Sequence, residues 1–338
     1  MKRKEIALIR ETRQGVFVRR ILETIAPHLS LRSTDRVAIK INLSGSKEIY
    51  ANTHYETVES LIDFLKSQFA ITKISVIEGS DGAYFSGKNT WDIFYKFKYK
   101  EVELHGAELV NLDDMPHAET MAVDTIGGQR EVHFTRFDTD YLISVVPPKT
   151  HNILPVSVVI PNLIGFVKPE DRVLMFGAST QEMRRINLFQ SEAYFQLVQH
   201  TNRNFVELLK RIPPSLALVD GLYGMEGRGP IKGSPVFHGF SVASEDAVLV
   251  DSLTTHVMGF NIDDLPYLDM AYREGLGNSQ WQNIIGVDPQ QVRFPYRPHP
   301  LFLRQKKRRD ASRNANGGAP PQHRRDRPFH EREHPKKD

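Results

Sequence analysis

A lysine, a threonine and a histidine follow directly on an apolar segment and two prolines. The segment is Tyr141–Val146, and the three residues are Lys149, Thr150 and His151. A lysine can hold an anion as a point charge, and a histidine can transfer a proton or bind a metal. We predict that Lys149 and His151 are catalytic, with His151 as general acid or base, and that Thr150 binds a ligand. A surface turn ended by the prolines is the alternative.

A second lysine lies inside an apolar segment, Val37–Leu43. In a strand, Lys40 and Asn42 point to one face and Ile39 and Ile41 to the other. A charged side chain among apolar residues needs a partner or a ligand. We therefore predict that Lys40 and Asn42 bind a ligand. An edge strand with one solvated side explains the same pattern.

Several carboxylates lie where they could bind a hard cation such as Mg²⁺ through oxygen. The predicted metal ligands, in a chain whose cofactor is otherwise unknown, are Glu78, Asp81, Asp220, Glu226 and Asp246. Glu78 and Asp81 stand among glycines at a strand end, where an Asx-type turn is the alternative. Asp246 also fits a simpler role, since an acid near a helix start favours the helix dipole.

A glycine-rich segment runs from Asp220 to Gly233, with five glycines in fourteen residues. Glycine permits close approach of backbone to a ligand, so Gly227 and Gly229 are predicted to bind one. The spacing matches neither a dinucleotide fingerprint nor a phosphate loop. A tightly turning loop without a ligand remains open.

The elements that must position these residues alternate between strand-like and helix-like segments. This alternation predicts an α/β fold with a largely parallel or mixed sheet and helices on both faces. Ligands of such sheets bind outside the carboxyl ends of the strands, so the residues above should converge on one cleft. The predicted strands are 6–9, 37–43, 74–78, 108–112, 141–146 and 215–220, with a hairpin over 121–134.

In the second half, Ser179 and Glu182 have capping-box spacing, and helix-like sequence follows to about Lys210. Ser244 is predicted to cap a helix through Met258. Residues 1–303 form the predicted globular body, which alternatively divides into subdomains of about 1–178 and 179–303. Residues 304–338 hold 12 Lys/Arg and 5 Asp/Glu with little apolar content, and are predicted to be a disordered basic tail.

Composition excludes several classes of protein. The chain of 338 residues has no cysteine, so it carries no disulfide, zinc thiolate or iron–sulfur cluster. No apolar run approaches the roughly 18 residues of a membrane span, and residues 6–9 are too short for a signal-peptide core. We therefore predict a cytoplasmic protein that does not associate with membranes.

Taken together, the blocks resemble the family known as domain of unknown function 362. Each block is short, but they occur in the family's order. The similar blocks are Lys40-Ile-Asn-Leu43, Glu78-Gly79, Lys149-Thr-His151, Asn162-Leu-Ile-Gly165, Asp220-Gly221, Glu226-Gly-x-Gly-Pro230 and Ser244-Glu-Asp246 through Asp251. The resemblance implies an α/β fold with a ligand cleft and adds Asn162 to the predicted ligand-binding residues. It names no reaction, because the family has no settled activity.

The chain departs from the family pattern at two positions. Pro147 and Pro161 stand where relatives usually carry lysines. If those lysines bind an anion, this protein binds it less well or binds something else. Many relatives also carry ferredoxin-type cysteine motifs, so electron transfer here would need a separate redox protein.

Three functions follow as hypotheses. The first is an enzyme acting on an anionic small molecule, with Lys40 and Lys149 holding the anion and a metal assisting. The second is a non-catalytic accessory module in a redox or maturation pathway. The third, ranked lowest, is association of the basic tail with nucleic acid.

Overall fold

The computed structural model describes residues 4–13, 16–44, 48–80, 82 and 86–315, with residues 312–315 described by their backbone alone. In this part of the chain, ten strands form one mixed sheet and two more form a hairpin. The strands are β1 (Ile6–Arg10), β2 (Val37–Lys40), β3 (Ile74–Glu78), β4 (Glu108–Asn111), β5 (Glu119–Thr125), β6 (Gly128–Phe134), β7 (Tyr141–Val146), β8 (Lys149–Thr150), β9 (Val156–Ser157), β10 (Leu216–Glu226), β11 (Ser234–Ser244) and β12 (Ile284–Gly286).

Helices connect and cover these strands. The α-helices are α1 (Val16–Ile25), α2 (Tyr55–Phe69), α3 (Thr90–Lys96), α4 (Val159–Asn162), α5 (Thr180–Arg185), α6 (Ala193–Arg211), α7 (Ala247–Val257), α8 (Pro266–Arg273), α9 (Pro289–Val292) and α10 (Pro300–Ala315). Short 3₁₀ helices are Ala26–His28, Ile49–Ala51, Tyr99–His105, Leu112–Asp114, Leu163–Phe166, Pro169–Phe176 and Ile262–Asp264.

The sheet has the strand order β12-β1-β11-β10-β7-β2-β3-β4. Five adjacent strands, β10, β7, β2, β3 and β4, run parallel to one another. The strand β11 is antiparallel to both of its neighbours, β10 and β1. The predicted α/β class with a mixed sheet is confirmed. The carboxyl ends of β2, β3, β7 and β10 therefore share one edge, which we call the carboxyl edge.

Two hydrophobic cores cover the two faces of the sheet. Alternate residues of β10 divide between them: Leu216 and Leu218 pack with α1 and α2, and Ala217 and Val219 pack with α4, α6, α7 and α8. Fully buried parallel strands are typical of sheets covered on both sides. Tyr141–Val146, buried at all six positions, follows this rule as predicted.

Three predicted elements differ in the structure. The strand predicted to end at Asp220 continues to Glu226, because its glycine-rich half pairs with β11. The helix after Ser179 has the predicted capping box but stops at Arg185, and α6 begins at Ala193. The residue that caps α7 is Asp246 rather than Ser244, which still belongs to β11.

The predicted start of the basic tail at Arg304 is corrected as well. Residues 300–315 are helical in α10, so the first twelve residues assigned to a disordered tail form part of a helix. Buried side chains such as Gln305 anchor this helix on the body. Residues 316–338 lie outside the described part of the chain.

Candidate functional site at the carboxyl edge

A buried polar network connects the ends of β2, β3 and α4. The ammonium of Lys40 donates to Glu78 Oε1 at 2.7 Å and to Asn162 Oδ1 at 3.0 Å. Glu78 also accepts from the backbone N–H of Leu43 at 2.8 Å. Lys40, Glu78 and Asn162 are each at most 2% exposed. A buried lysine and carboxylate require such a partner, because an isolated buried charge is strongly destabilising.

The network continues to the second lysine. Asn42 donates from Nδ2 to Asn162 Oδ1 at 2.9 Å, and its own Oδ1 accepts from the ammonium of Lys149. Lys149 also donates to the Ala51 carbonyl at 2.9 Å. Five predicted residues from four separate sequence blocks thus meet in one network. Lys149, like Lys40, is buried, so neither ammonium is open to direct contact with a ligand in this conformation.

Two glycines allow the network to close. A Cβ on Gly165 would lie 2.7 Å from Lys40 Cε and 2.8 Å from Glu78 Oε1. A Cβ on Gly79 would lie 2.2 Å from the Gly165 carbonyl oxygen. These positions need glycine for close approach, which explains two of the short sequence blocks.

A buried aspartate holds the short helix that carries Asn162. Asp251 on α7 accepts from the backbone N–H groups of Val159 and Ile160 at 2.8 and 3.1 Å, and from the Tyr267 hydroxyl at 2.9 Å. Burial raises the pKa of Asp251 to about 7. Asp251 was not among the predicted site residues, although it closes the last of the family-like blocks.

Thr150 joins the end of β8 to the glycines after β10. Its hydroxyl donates to the Gly227 carbonyl at 3.1 Å, and Lys149 pairs with Met225 in the sheet. A Cβ on Gly229 would lie 2.0 Å from the Thr150 carbonyl oxygen. Thr150, Gly227 and Gly229, predicted to bind a ligand, are therefore in mutual contact.

His151 is held in one tautomer by the turn that follows it. Its Nδ1 accepts from the backbone N–H groups of Ile153 at 3.0 Å and Leu154 at 3.2 Å. Burial, with the nearby His299 and Lys149, lowers the pKa of His151 to about 3. The ring is therefore neutral near pH 7, and because Nδ1 is an acceptor, Nε2 carries the proton.

A second histidine of the same type lies next to this turn, and sequence analysis did not select it. His299 Nδ1 accepts from the Leu301 backbone N–H at 3.2 Å, and burial and Arg228 lower its pKa. The segment that carries His299 is tied to the glycines, since Gly227 N–H donates to the Arg297 carbonyl at 2.7 Å. In each ring, Nδ1 accepts from the backbone N–H two residues further along.

Arg228 stands between Gly227 and Gly229 and is exposed. Its guanidinium makes no hydrogen bond or ion pair with any residue that the structure describes. The neighbouring glycines are held by Thr150 and Arg297, so a fixed backbone presents this arginine. Arginine is well suited to recognise carboxylate or phosphate through its planar set of donors.

The four predicted metal ligands that the structure describes do not come together. Asp220 accepts from the Thr57 hydroxyl at 2.5 Å, and burial raises the pKa of Asp220. Glu226 accepts from the Arg297 N–H at 2.8 Å.

Asp246 lies at the opposite edge of the sheet. It caps α7 just after Ser244, which pairs with Ala217 near the start of β10. Asp81 lies outside the described residues. Among the residues described, no three His, Asp or Glu side chains form a group that could hold a metal ion.

The fold and the site define an α/β protein with a buried lysine–carboxylate–asparagine network at the carboxyl edge of its sheet. The chain belongs to the family described as domain of unknown function 362 (DUF362), which matches residues 37–256. The resemblance inferred from the sequence blocks is thereby confirmed.

The chain is similar to a small set of known proteins. The thylakoid-associated protein sll1697 of Synechocystis sp. is 26% identical over 140 residues, which cover 41% of this chain and 38% of that protein. The solved lactate racemase apoprotein from Thermoanaerobacterium thermosaccharolyticum is 13% identical, with a TM-score of 0.41 over 63% of this chain and 50% of that one. A protein of Thermotoga maritima is 11% identical, with a TM-score of 0.39 over 64% and 52%. The chain thus spans about half or less of each of these proteins.

Two absences bear on cofactors and membranes. Without cysteine, the chain holds no iron–sulfur cluster of its own. Within the residues that the structure describes, no helix has both the length and the apolar character needed to cross a bilayer.

Proposed function

We propose that this protein binds an anionic small molecule at the carboxyl edge and acts on it as an enzyme. The ligand lies against His151, Arg228 and His299, with the segment from Gly227 to Gly229 as its backbone platform. Lys149, which is buried, contributes through its field, and Lys40, whose charge is paired with Glu78, contributes by holding Asn162. The class of ligand is a carboxylate or phosphate, because the available groups are cationic or neutral donors.

The observation that carries this proposal is the fixed, neutral state of His151. Two backbone N–H groups occupy Nδ1, so Nε2–H is the group left to donate. Lys149 disfavours a proton on this ring, and an anion placed there would be stabilised by the same ammonium. His151 is buried, with 8% of the residue surface exposed, and directly follows β8 at the carboxyl edge.

This geometry changes the chemistry expected of His151. A histidine with a pKa of about 3 is a weak base near pH 7, so general base catalysis is disfavoured. A neutral imidazole can instead donate a hydrogen bond to an oxygen that becomes negative in the transition state. We therefore assign His151 to stabilising negative charge, with Arg228 and His299 orienting the anion.

The test uses the full-length protein and a panel of phosphorylated and carboxylated metabolites. Ligands are detected by thermal shift, quantified by calorimetry, and checked for turnover by NMR. His151→Asn keeps an acceptor for the two backbone N–H groups but removes the Nε2 donor. We expect it to weaken binding about tenfold or more, as the loss of one hydrogen bond to a charged group implies. Unchanged binding and turnover in this variant would contradict the proposal.

A non-catalytic accessory role is the second candidate, and one observation favours it. The two lysines of the network are buried, and prolines stand at Pro147 and Pro161, where relatives usually carry lysines. In this role the network only shapes the edge on which a separate redox protein docks. Affinity capture that recovers a stable partner, together with no ligand from the panel, favours this candidate over the enzyme.

Localisation, a divalent cation and nucleic-acid association are the subjects of proposals of lower rank. We place the protein in the cytoplasm, without a membrane partner. A divalent cation such as Mg²⁺ enters only as a counter-ion carried by the substrate, because the described carboxylates lie apart. Association with nucleic acid is assigned to the basic C-terminal residues alone.

A further inference from the structure

The C-terminal helix α10 lies against the turn that follows His151. Arg304 donates to the carbonyls of Leu188 at 2.8 Å and Gln190 at 3.0 Å, and its guanidinium lies 4.7 Å from the ring centre of Phe195. Arg308 covers the same ring at 4.1 Å. These contacts fasten the helix beside α6.

One buried side chain of this helix reaches the turn directly. Gln305 Nε2 donates to the Ile153 carbonyl at 2.6 Å and to the Tyr194 hydroxyl at 2.6 Å. The Tyr194 hydroxyl in turn donates to the Asn152 carbonyl at 2.8 Å. Both carbonyls of the turn are therefore held from α6 and α10.

The same turn fixes the tautomer of His151. Ile153 presents its carbonyl to Gln305 and its N–H to His151 Nδ1. A shift of this residue would move the donor away from Nδ1. The imidazole is thus connected to α10 through a single residue.

The hydrogen bonding of the Gln305 side chain is incomplete. Its Oε1 is buried and has no hydrogen-bond partner in the described part of the chain. An unpaired buried acceptor costs stability, so a leucine of similar size would suit packing at this position better. What only the amide supplies is the pair of hydrogen bonds to the Ile153 carbonyl and the Tyr194 hydroxyl.

We infer that Gln305, together with Tyr194, is a positioning residue that keeps the Ile153 N–H on His151 Nδ1 and so keeps Nε2–H available to a ligand. The value of that donor rests on the proposed function, but the positioning itself is a property of the free protein. The helix α10 is then part of the site, because its Gln305 positions His151.

The experiment measures the tautomer of His151 in full-length protein by ¹⁵N-histidine NMR at pH 7, with the signal assigned by its loss in His151→Asn. In the wild type we expect the Nε2–H tautomer to dominate. In Gln305→Leu we expect a mixture of tautomers and a fold that unfolds at a temperature close to that of the wild type. Tyr194→Phe removes the hydroxyl that accepts from Gln305 and donates to the Asn152 carbonyl, but it keeps the contact of Gln305 with Ile153. It serves as a second variant and should give a smaller change of the same sign.

Arg308→Ala is the matched control, because it loosens α10 without touching Ile153, and it should leave the tautomer unchanged. An unchanged His151 signal in both Gln305→Leu and Tyr194→Phe would overturn the inference. Altered tautomers combined with no ligand from the metabolite panel would support the positioning role and count against the proposed function. A failure of the positioning inference and a failure of the proposed function would therefore give different results.

Discussion

At the scale of single residues, the protonation of Asp251 makes the stability of the fold around the site depend on pH. Its carboxylate holds the N-terminal N–H groups of α4, whose last residue is Asn162, so the polar network depends on a group that is itself fully buried. Burial dominates its behaviour and raises its pKa from 3.8 to about 7. The folded protein therefore holds this proton more tightly than the unfolded chain does.

The sign of the effect follows from that difference. As pH rises from about 4 to 7, the unfolded chain releases the Asp251 proton first, so folding loses stability. We expect the free energy of unfolding of the wild type, relative to Asp251→Asn, to fall by about 1.4 kcal/mol per pH unit in this window and to level off above it. Urea unfolding at several pH values checks this, with Asp269→Asn as a control for removal of an exposed carboxylate. A difference that does not vary with pH would refute it.

At the residue level, a local pattern in the sequence predicts which side chains lie at strand ends. Lys40 and Glu78 end strands whose apolar residues are evident in the sequence, and a parallel sheet brings such ends together. His299 and Gln305 could not be selected in this way, because their roles come from contacts with Leu301, Ile153 and Tyr194. For His299, the signal available is its place before Pro300, at the start of a helix.

At the scale of elements, the misassigned segments share one cause. Glycine-rich sequence after Asp220 predicts a loop, but β11 supplies a pairing partner and the strand continues to Glu226. The basic residues from Arg304 onward predict disorder, but buried Gln305 and the aromatic face of Phe195 supply a surface for a helix. In both segments tertiary contacts override local composition, and those contacts are not visible in the segment itself.

The helix α10 gives a prediction at this scale. A chain that ends at Leu303 loses the hydrogen bonds of Arg304 and Gln305, whereas a chain that ends at Ala315 keeps them. We expect the shorter chain to melt about 5 °C or more below the full-length protein, from the loss of several hydrogen bonds. The longer one should keep the Tm of the full chain. Equal Tm values for the two truncated chains would show that α10 adds nothing to the fold.

At the scale of the whole molecule, the charge is unevenly distributed. The first 303 residues carry a net charge of −4, and residues 304–315 alone hold six basic residues and one acidic residue. Part of that basic charge is committed to the body, since Arg308 pairs with Glu192 and Arg309 with Asp264. Fewer cations are thus available for phosphate than the composition indicates, which lowers the rank of nucleic-acid association further.

The pH dependence of the free energy of unfolding combines titrating groups whose contributions have opposite signs. Burial lowers the pKa of His151 to about 3 and that of His238 to about 4. Below pH 6.5 the unfolded chain gains these protons and the folded protein does not, so stability is lost as pH falls. Asp251 and Asp220, whose pKa values burial raises, act in the other direction over part of the same range, and His299, whose pKa burial lowers, adds to the effect of the two histidines.

His151→Asn separates these contributions, because it removes one of the two histidines and keeps an acceptor for the turn. Relative to this variant, we expect the wild type to lose about 1.4 kcal/mol of unfolding free energy per pH unit between pH 6 and 4. Chemical denaturation across that range measures it. If the unfolding free energies of the wild type and the variant depend on pH in the same way, His151 accepts a proton in the folded protein. A protonated ring cannot keep Nδ1 as an acceptor. That result would remove the neutral donor on which the proposed site depends.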